Sequence, residues 1–184
     1  MIDFFLARLG LDPRGVPTAA RRNTWLAPRL GIAPPARPGY VLVCPRTSTP
    51  LRSMPDPVHA HILAWLAGRG ARACSQAQLP PAASLAELCA LVAGARLVVS
   101  ADTAMVHLAD AFAVPCLALF TTHAPERRVR DYPLCRAVHR QPAGLPPALE
   151  FVRDAADIAA AQAAWGPDLD WLDAALARLW SEGA

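Results

Sequence analysis

The sequence predicts an α/β fold: a doubly wound, mostly parallel sheet of about four to five strands, finished by C-terminal helices. Three observations carry this. Short apolar runs alternate with segments of helical period, which is the pattern of parallel strands joined by crossover helices. The clearest repeat, Leu97 to Phe120, contains strand, polar turn, helix and strand in that order. Pro and Gly sit between the runs rather than inside them, so they punctuate the elements.

Tyr40 to Cys44 is the first strand, and a polar loop runs from Pro45 to Met54 after it. Pro55 or Pro57 opens a helix whose apolar face is Val58, Ile62, Trp65 and Leu66; Gly68 or Gly70 ends it. Ala71 to Gln76 is a second, less apolar strand, and Pro80-Pro81 breaks the chain after it. Ser84-Leu-Ala-Glu87 reads as a capping box opening a helix over Leu85 to Val92, which Gly94 closes.

Leu97 to Ser100 is an apolar run suited to the inside of a parallel sheet. Asp102 and Thr103 are capping types placed where a helix must begin. Met105, Leu108, Ala109 and Phe112 then share one helical face. Pro115 closes the turn into the strand Cys116 to Phe120. A helix start at the end of a strand offers free N–H groups, and a phosphate is its usual guest. A charged loop from His123 to Pro133 follows, then a fifth strand over Cys135 to His139. An Ala-rich helix over Ala148 to Trp165 comes next, and a last helix over Leu169 to Trp180 carries Leu169, Leu172, Leu176 and Leu179 on one side.

The strand order read from this pattern is 2-1-3-4-5. It sets the strand ending at Cys44 beside the one ending at Ser100, with connections leaving in opposite directions. That is a topological switch point. The loops Thr47–Arg52 and Ala101–Met105 then face each other across one crevice, where hydroxyls, an Arg and a helix start converge.

The organisation divides into residues 1–38, an N-terminal helix and a Pro/Arg-rich linker; 39–141, the sheet; and 142–184, helices packing on it. Ile2, Phe5, Leu6 and Leu9 share a face in the opening helix, Leu26 to Leu30 form a short turn, and Phe4, Phe5 and Trp25 stand ready for a partner. This opening resembles the end of a connection between two domains.

Composition narrows the function classes. An apolar fraction of 54% is ample for a core, and a net charge of +3 gives no strong pull toward nucleic acid. All 18 basic residues are Arg; they are scattered, and the group Arg127, Arg128 and Arg130 reads as a solvated face. The five Cys have no C-x-x-C spacing, so they read as small buried hydrophobes in a reducing compartment, with no metal site. His123 reads as an exposed loop residue. The apolar opening run is too short for a signal peptide and carries Asp3 and Arg8. No stretch reaches the ~20 apolar residues of a membrane span, so the expected location is cytoplasmic. A Ser hydrolase is disfavoured because no G-x-S-x-G elbow is present.

Val99-Ser-Ala-Asp-Thr-Ala-Met-Val-His-Leu-Ala109, then Val114-Pro115 and Leu119-Phe120, resembles glycosyltransferase family 9, the ADP-heptose:lipopolysaccharide heptosyltransferases. The family pattern is roughly S-x-D-T-G-x-x-H-L-A-x-A, V-P and L-F-G-P-T-x-P. Ser84-Leu-Ala-Glu-Leu and the loop Thr47–Pro55 match neighbouring family segments, so the likeness covers about residues 40 to 135. Ala104 stands where Gly is usual, Arg52 where Lys is usual, and Thr121-Thr-His-Ala-Pro125 where G-P-T-x-P is usual.

The resemblance implies the C-terminal, nucleotide-sugar-binding domain, a Rossmann-like half of a GT-B fold. It implies that Thr47 and Ser48 touch a diphosphate, that Arg52 neutralises it, and that N–H groups at Thr103 and Ala104 bind phosphate oxygens. Asp102 would bond the sugar or orient the turn, and His107 would brace the helix or reach the site. The activity implied is inverting transfer from an ADP-heptose-like donor to a lipopolysaccharide-type acceptor, without cofactor or metal. The acceptor domain and its carboxylate base would come from a separate domain or chain, so no catalytic residue is assigned here. The region between Gly70 and Ser84 is one strand–helix unit short of the pattern, the unit that usually carries an acid for the ribose. The seat implied is cytoplasmic, or peripheral to the inner membrane. The competing reading is an inactive remnant that binds a nucleotide-sugar or a protein without turnover.

Overall fold

The computed structural model describes residues 6–33 and 39–183. Ile2, Phe4, Phe5 and the end of the expected linker at Pro38 lie outside the described residues. Five parallel strands form the sheet: β1 (Tyr40–Cys44), β2 (Ala73–Ser75), β3 (Ala95–Ala101), β4 (Cys116–Phe120) and β5 (Cys135–His139). Their order is β2-β1-β3-β4-β5, as expected. Helices α1 (Leu26–Leu30), α2 (Asp56–Ala67), α3 (Leu85–Ala93), α4 (Ala104–Ala111), α5 (Ala155–Ala163) and α6 (Asp170–Gly183) complete it.

Alternation along the strands builds two cores. Leu42, Cys44, Val98, Ala118 and Phe120 face one way, onto α3 and α4. Val41, Val43, Leu97, Val99, Leu117 and Leu119 face the other, onto α2 and α6. Because both faces are covered, β1, β3 and β4 read as continuous apolar runs rather than as alternating ones. Trp65 and Trp180 meet edge to face at 6.0 Å where α2 and α6 adjoin. Leu172, Leu176 and Leu179 are buried from α6, while Leu169 and Trp171 are partly buried.

The first described segment packs on this layer. Arg22 reaches the buried carboxylate of Asp110 in α4 at 2.8 Å, and Leu26, Ala27, Leu30 and Ile32 lie against the first core. Trp25 is exposed.

Three elements depart from expectation. β2 is three residues rather than six, because the chain leaves it through a single 3-10 turn, Gln76–Gln78, and goes directly to α3. The capping box at Ser84 forms one half as expected, with Glu87 N–H donating to Ser84 Oγ at 3.1 Å; the Glu87 carboxylate accepts from Ala83 N–H instead of Ser84. The helix expected from Ala148 begins at Ala155. Ala148 has φ +61°, which no right-handed helix accepts. Asp154 takes over the start, its Oδ1 accepting from the N–H groups of Ala156 and Asp157. Residues 148–153 are therefore loop, and that loop reaches the crevice above the sheet.

Candidate functional site

The carboxyl ends of β1, β3 and β4 each release a polar segment. β1 leads to α2 on one face and β3 leads to α4 on the other, so the gap between the two loops opens at the point of divergence. A cleft of about 470 Å³ occupies this gap. Thr47, Ser48, Arg52, Asp102, Thr103, Ala104 and His107 all line it. The structure thus gathers every residue that the sequence singled out, and adds Arg46, Gln76, Met105 and Arg128.

The β1 loop is shaped by its own hydroxyls. Thr47 Oγ1 donates to Thr49 O at 2.6 Å, Thr47 N–H donates to Ser53 Oγ at 3.0 Å, and Ser53 Oγ donates to Thr49 O at 3.1 Å. Such short-range side-chain bonds replace a regular ladder. Leu51 is fully buried beneath, against Leu145 and Ala161, and its carbonyl accepts from Thr121 Oγ1 at 2.8 Å. This leaves Ser48 exposed at the cleft and Arg52 directed inward.

Arg52 and Asp102 meet across the gap. Arg52 Nη1 donates to the Asp102 carboxylate at 3.2 Å and to its carbonyl at 3.3 Å; Nη2 donates to Ser48 Oγ at 3.1 Å. Arg52 Nε is buried without a hydrogen-bond partner. Asp102 thus holds the guanidinium in place, with its own side chain 6% exposed.

Thr103 caps α4, its Oγ1 accepting from Met105 N–H at 3.1 Å and pairing with Ser100 Oγ at 3.2 Å. Ala104 is exposed at the first turn, facing the cleft without a side chain to fill it. The positive end of α4 is therefore open to an anion.

The His107 ring lines the cleft and pairs with Tyr132 across 25 residues of chain. Its Nδ1 lies 2.7 Å from Tyr132 Oη, and that oxygen accepts from Asn23 Nδ2 at 2.8 Å. Burial pushes the Tyr132 phenol up to about 12, so it keeps its proton. A phenol that accepts from Asn23 still has its proton to give, and giving it to Nδ1 would put the imidazole proton on Nε2. Burial, and secondarily the Arg128 charge, hold His107 below the usual His value, against an upward pull from Asp102 and Asp110.

Two expectations are corrected. His123 is not an exposed loop residue: it is 3% exposed, with Nδ1 2.9 Å from Asp102 Oδ2 and Nε2 2.9 Å from Glu150 Oε1. Its position directly after the buried pair Thr121-Thr122, at the end of β4, draws it inward. The Arg127/Arg128/Arg130 group is not a uniform solvated face. Arg127 and Arg130 are exposed, but the 3-10 turn Pro125–Arg127 swings Arg128 back, where Nη2 lies 3.4 Å from Glu150 Oε1. Arg52 Nη2 is 3.7 Å from the other Glu150 oxygen. Sequence reasoning missed His123, Arg128 and Glu150 as neighbours of the site. The one available signal was the replacement of the usual small turn after Phe120 by Thr-Thr-His.

Residues 59–138 match the family model described as glycosyltransferase family 9 (heptosyltransferase). Escherichia coli ADP-heptose lipopolysaccharide heptosyltransferase II superposes with a TM-score of 0.58 at 16% identity, covering 88% of this chain and 52% of that one. The Escherichia coli heptosyltransferase WaaC with ADP gives 0.54 at 20% identity, covering 73% of this chain and 47% of that one. WaaC with ADP-2-deoxy-2-fluoro heptose gives 0.52 at 20%, covering 74% and 47%. This chain therefore spans about half the length of the solved heptosyltransferases that it matches. No curated protein matches in sequence. Among the described residues no helix is long and apolar enough to cross a membrane. Sequence and fold agree: over residues 59–138 this chain carries the glycosyltransferase family 9 (heptosyltransferase) pattern, on an α/β fold like that of about half of a heptosyltransferase.

Proposed function

We propose that the cleft binds a nucleotide-diphosphate sugar, ADP-heptose-like, as the donor of an inverting glycosyl transfer to a lipopolysaccharide-type acceptor. The observation that carries this reading is the meeting of Ser48, Arg52 and the open start of α4 around one cleft at a switch point. A diphosphate there would take backbone N–H groups from Thr103 and Ala104 and the unused edge of the Arg52 guanidinium. Arg is suited to this because its fork matches phosphate geometry bidentately. Negative charge gathering on the departing diphosphate would be stabilised by the same donors. The His107 imidazole would add a neutral donor through Nε2–H.

A second hollow of about 310 Å³ adjoins the first through Arg46, Thr47 and Gln76 and is walled by Leu79, Pro80, Pro81, Leu88 and Leu91. Its apolar walls suit the nucleoside. Gln76 stands between the two hollows, an amide able to meet a ribose hydroxyl where an acid is usual in the resemblance.

A binding module without turnover is the second reading, and one observation favours it. Among the described residues lining the cleft, Asp102 is the one carboxylate, and it is committed to Arg52 and His123. A base for the acceptor would have to come from elsewhere.

Thermal denaturation with ADP tests the donor reading. Millimolar ADP raises the Tm of the wild-type chain by mass action, and Arg52→Ala removes the shift. No shift in the wild-type chain would sink the proposal. Sugar transfer on adding an acceptor-domain chain would separate the enzyme from the binding module.

A further inference from the structure

Glu150 sits on the irregular stretch between Pro146-Pro147 and the Asp154 cap. Its carboxylate lies near three nitrogens from three different segments: His123 Nε2 at 2.9 Å, Arg128 Nη2 at 3.4 Å and Arg52 Nη2 at 3.7 Å. Because Nδ1 faces the Asp102 carboxylate, His123 donates to Glu150 as the ring that carries both protons. Two of these three side chains, Arg52 and Arg128, also line the cleft. The loop is fastened at its two ends. Ala148 N–H donates to Thr122 O at 2.6 Å and Leu149 packs on the Leu51 cluster; Arg153 donates to the buried Asp157 carboxylate from its N–H at 2.9 Å, Nε at 2.9 Å and Nη2 at 2.6 Å. Between these ends Phe151 is 81% and Val152 37% exposed.

We propose that His123, Arg128 and Arg52 form an oxyanion site for a phosphate of the ligand, and that Glu150 occupies it as an internal stand-in. The segment 150–152, between those anchored ends, is then a latch that the ligand displaces. This rests on the donor reading above, because it assigns the latch to the same diphosphate. The magnitudes favour displacement. The Glu150 side chain is 44% exposed, and ion pairs so open to water hold weakly. A phosphate group brings more charge and three acceptor oxygens to the same donors. Arg52 supplies the independent sign of a missing partner: its Nε is buried and unbonded while Glu150 is seated. A bound phosphate oxygen can bridge Nε and Nη2, which the carboxylate does not do.

The fixed part of the site is His123. Its Nδ1 is tied to Asp102, so the ring stays aimed when Glu150 leaves. Asp102 thereby positions two donors at once, Arg52 on one side and His123 on the other.

The test is calorimetric titration of wild-type and Glu150→Gln chains with inorganic pyrophosphate and, separately, with ADP, together with amide hydrogen exchange over residues 150–152. Removing the charge of the stand-in should tighten pyrophosphate binding roughly fivefold, the factor a weak exposed ion pair can supply. Pyrophosphate should also speed exchange at 150–152 in the wild-type chain as the loop lets go. Equal or weaker binding by Glu150→Gln overturns the latch, as does slower exchange at 150–152 or failure of pyrophosphate to bind either chain. ADP that binds both chains alike removes the latch and leaves the donor reading standing. Tighter pyrophosphate binding by the variant with no ADP binding keeps the oxyanion site and removes the nucleotide.

Discussion

The cleft has two walls of different origin. One lines it, from the β1 loop and the start of α4; the other, formed by the end of β4, the turn after it and the loop before α5, stands behind that lining and reaches the cleft through Arg128. In the first wall the hydroxyls are fixed by neighbours within a few residues, Thr47 by Thr49 and Ser53 and Thr103 by Met105, while Arg52 and His107 are held by Asp102 and Tyr132. In the second wall, His123, Arg128 and Glu150 hold one another across separations of 5 to 27 residues. That wall owes its arrangement to charges that a ligand can replace. On the proposal above, the cleft has a locally set half and an adjustable half.

Leu51 is the pin between them, and its loss is the largest effect expected. The side chain is fully buried in the β1 loop yet packs on Leu145 and Ala161 of the C-terminal segment. Leu51→Ala should cost about 3 kcal/mol, within the range for truncating a fully buried Leu. Urea unfolding checks this, with a lower midpoint at an unchanged slope. If the walls share the pin, hydrogen exchange should rise both in residues 47–52 and in residues 145–150. A rise confined to the β1 loop would show the walls to be independent.

A smaller effect probes the first wall alone. Thr103→Ala removes the cap that receives Met105 N–H and should destabilise by about 1 kcal/mol. Because the cap also fixes where α4 begins, anion affinity should fall in the same variant while exchange at 150–152 stays unchanged. A drop in stability without a drop in anion affinity would mean that the helix start is only structural.

The two walls also differ in how far the sequence revealed them. Strand order, both packed faces and the first wall follow from local signals. Apolar runs bounded by Pro and Gly mark β1, β3 and β4, and Asp102-Thr103 marks a helix start. The second wall leaves one local trace, Thr121-Thr-His123 in place of the usual small turn after Phe120. His123 in a stretch with Glu126, Arg127 and Arg128 has the composition of a solvated loop; only the closure of β4 against the Asp102 turn buries it. Glu150 was hidden for another reason. The Ala-rich run from Ala148 predicts helix by propensity, and nothing in propensity shows that Ala148 is held at positive φ by a bond to Thr122. The C-terminal start at Asp154 was legible in principle, since an Asp followed by Ala-Ala-Asp is a capping pattern.

The smallest effect sharpens the comparison from the other side, through His107, which stands in the first wall but feels the charge of Arg128 from the adjustable one. Burial and Arg128 place its folded value below the unfolded one. The unfolded chain then takes up a proton more readily than the folded chain as pH falls. The contribution of a neutral His107 is complete above the unfolded value, near 6.5 for His, and is lost as pH drops through the window below it. Urea midpoints measured from pH 7 to pH 5 should fall, and His107→Gln, which keeps an acceptor for the Tyr132 hydroxyl, should fall less. His59 is also held below its usual value, chiefly by burial, but it remains in both chains and cancels in the difference. Identical slopes in the two chains would show that His107 charges without strain, and that the Tyr132 contact is no constraint on the ring.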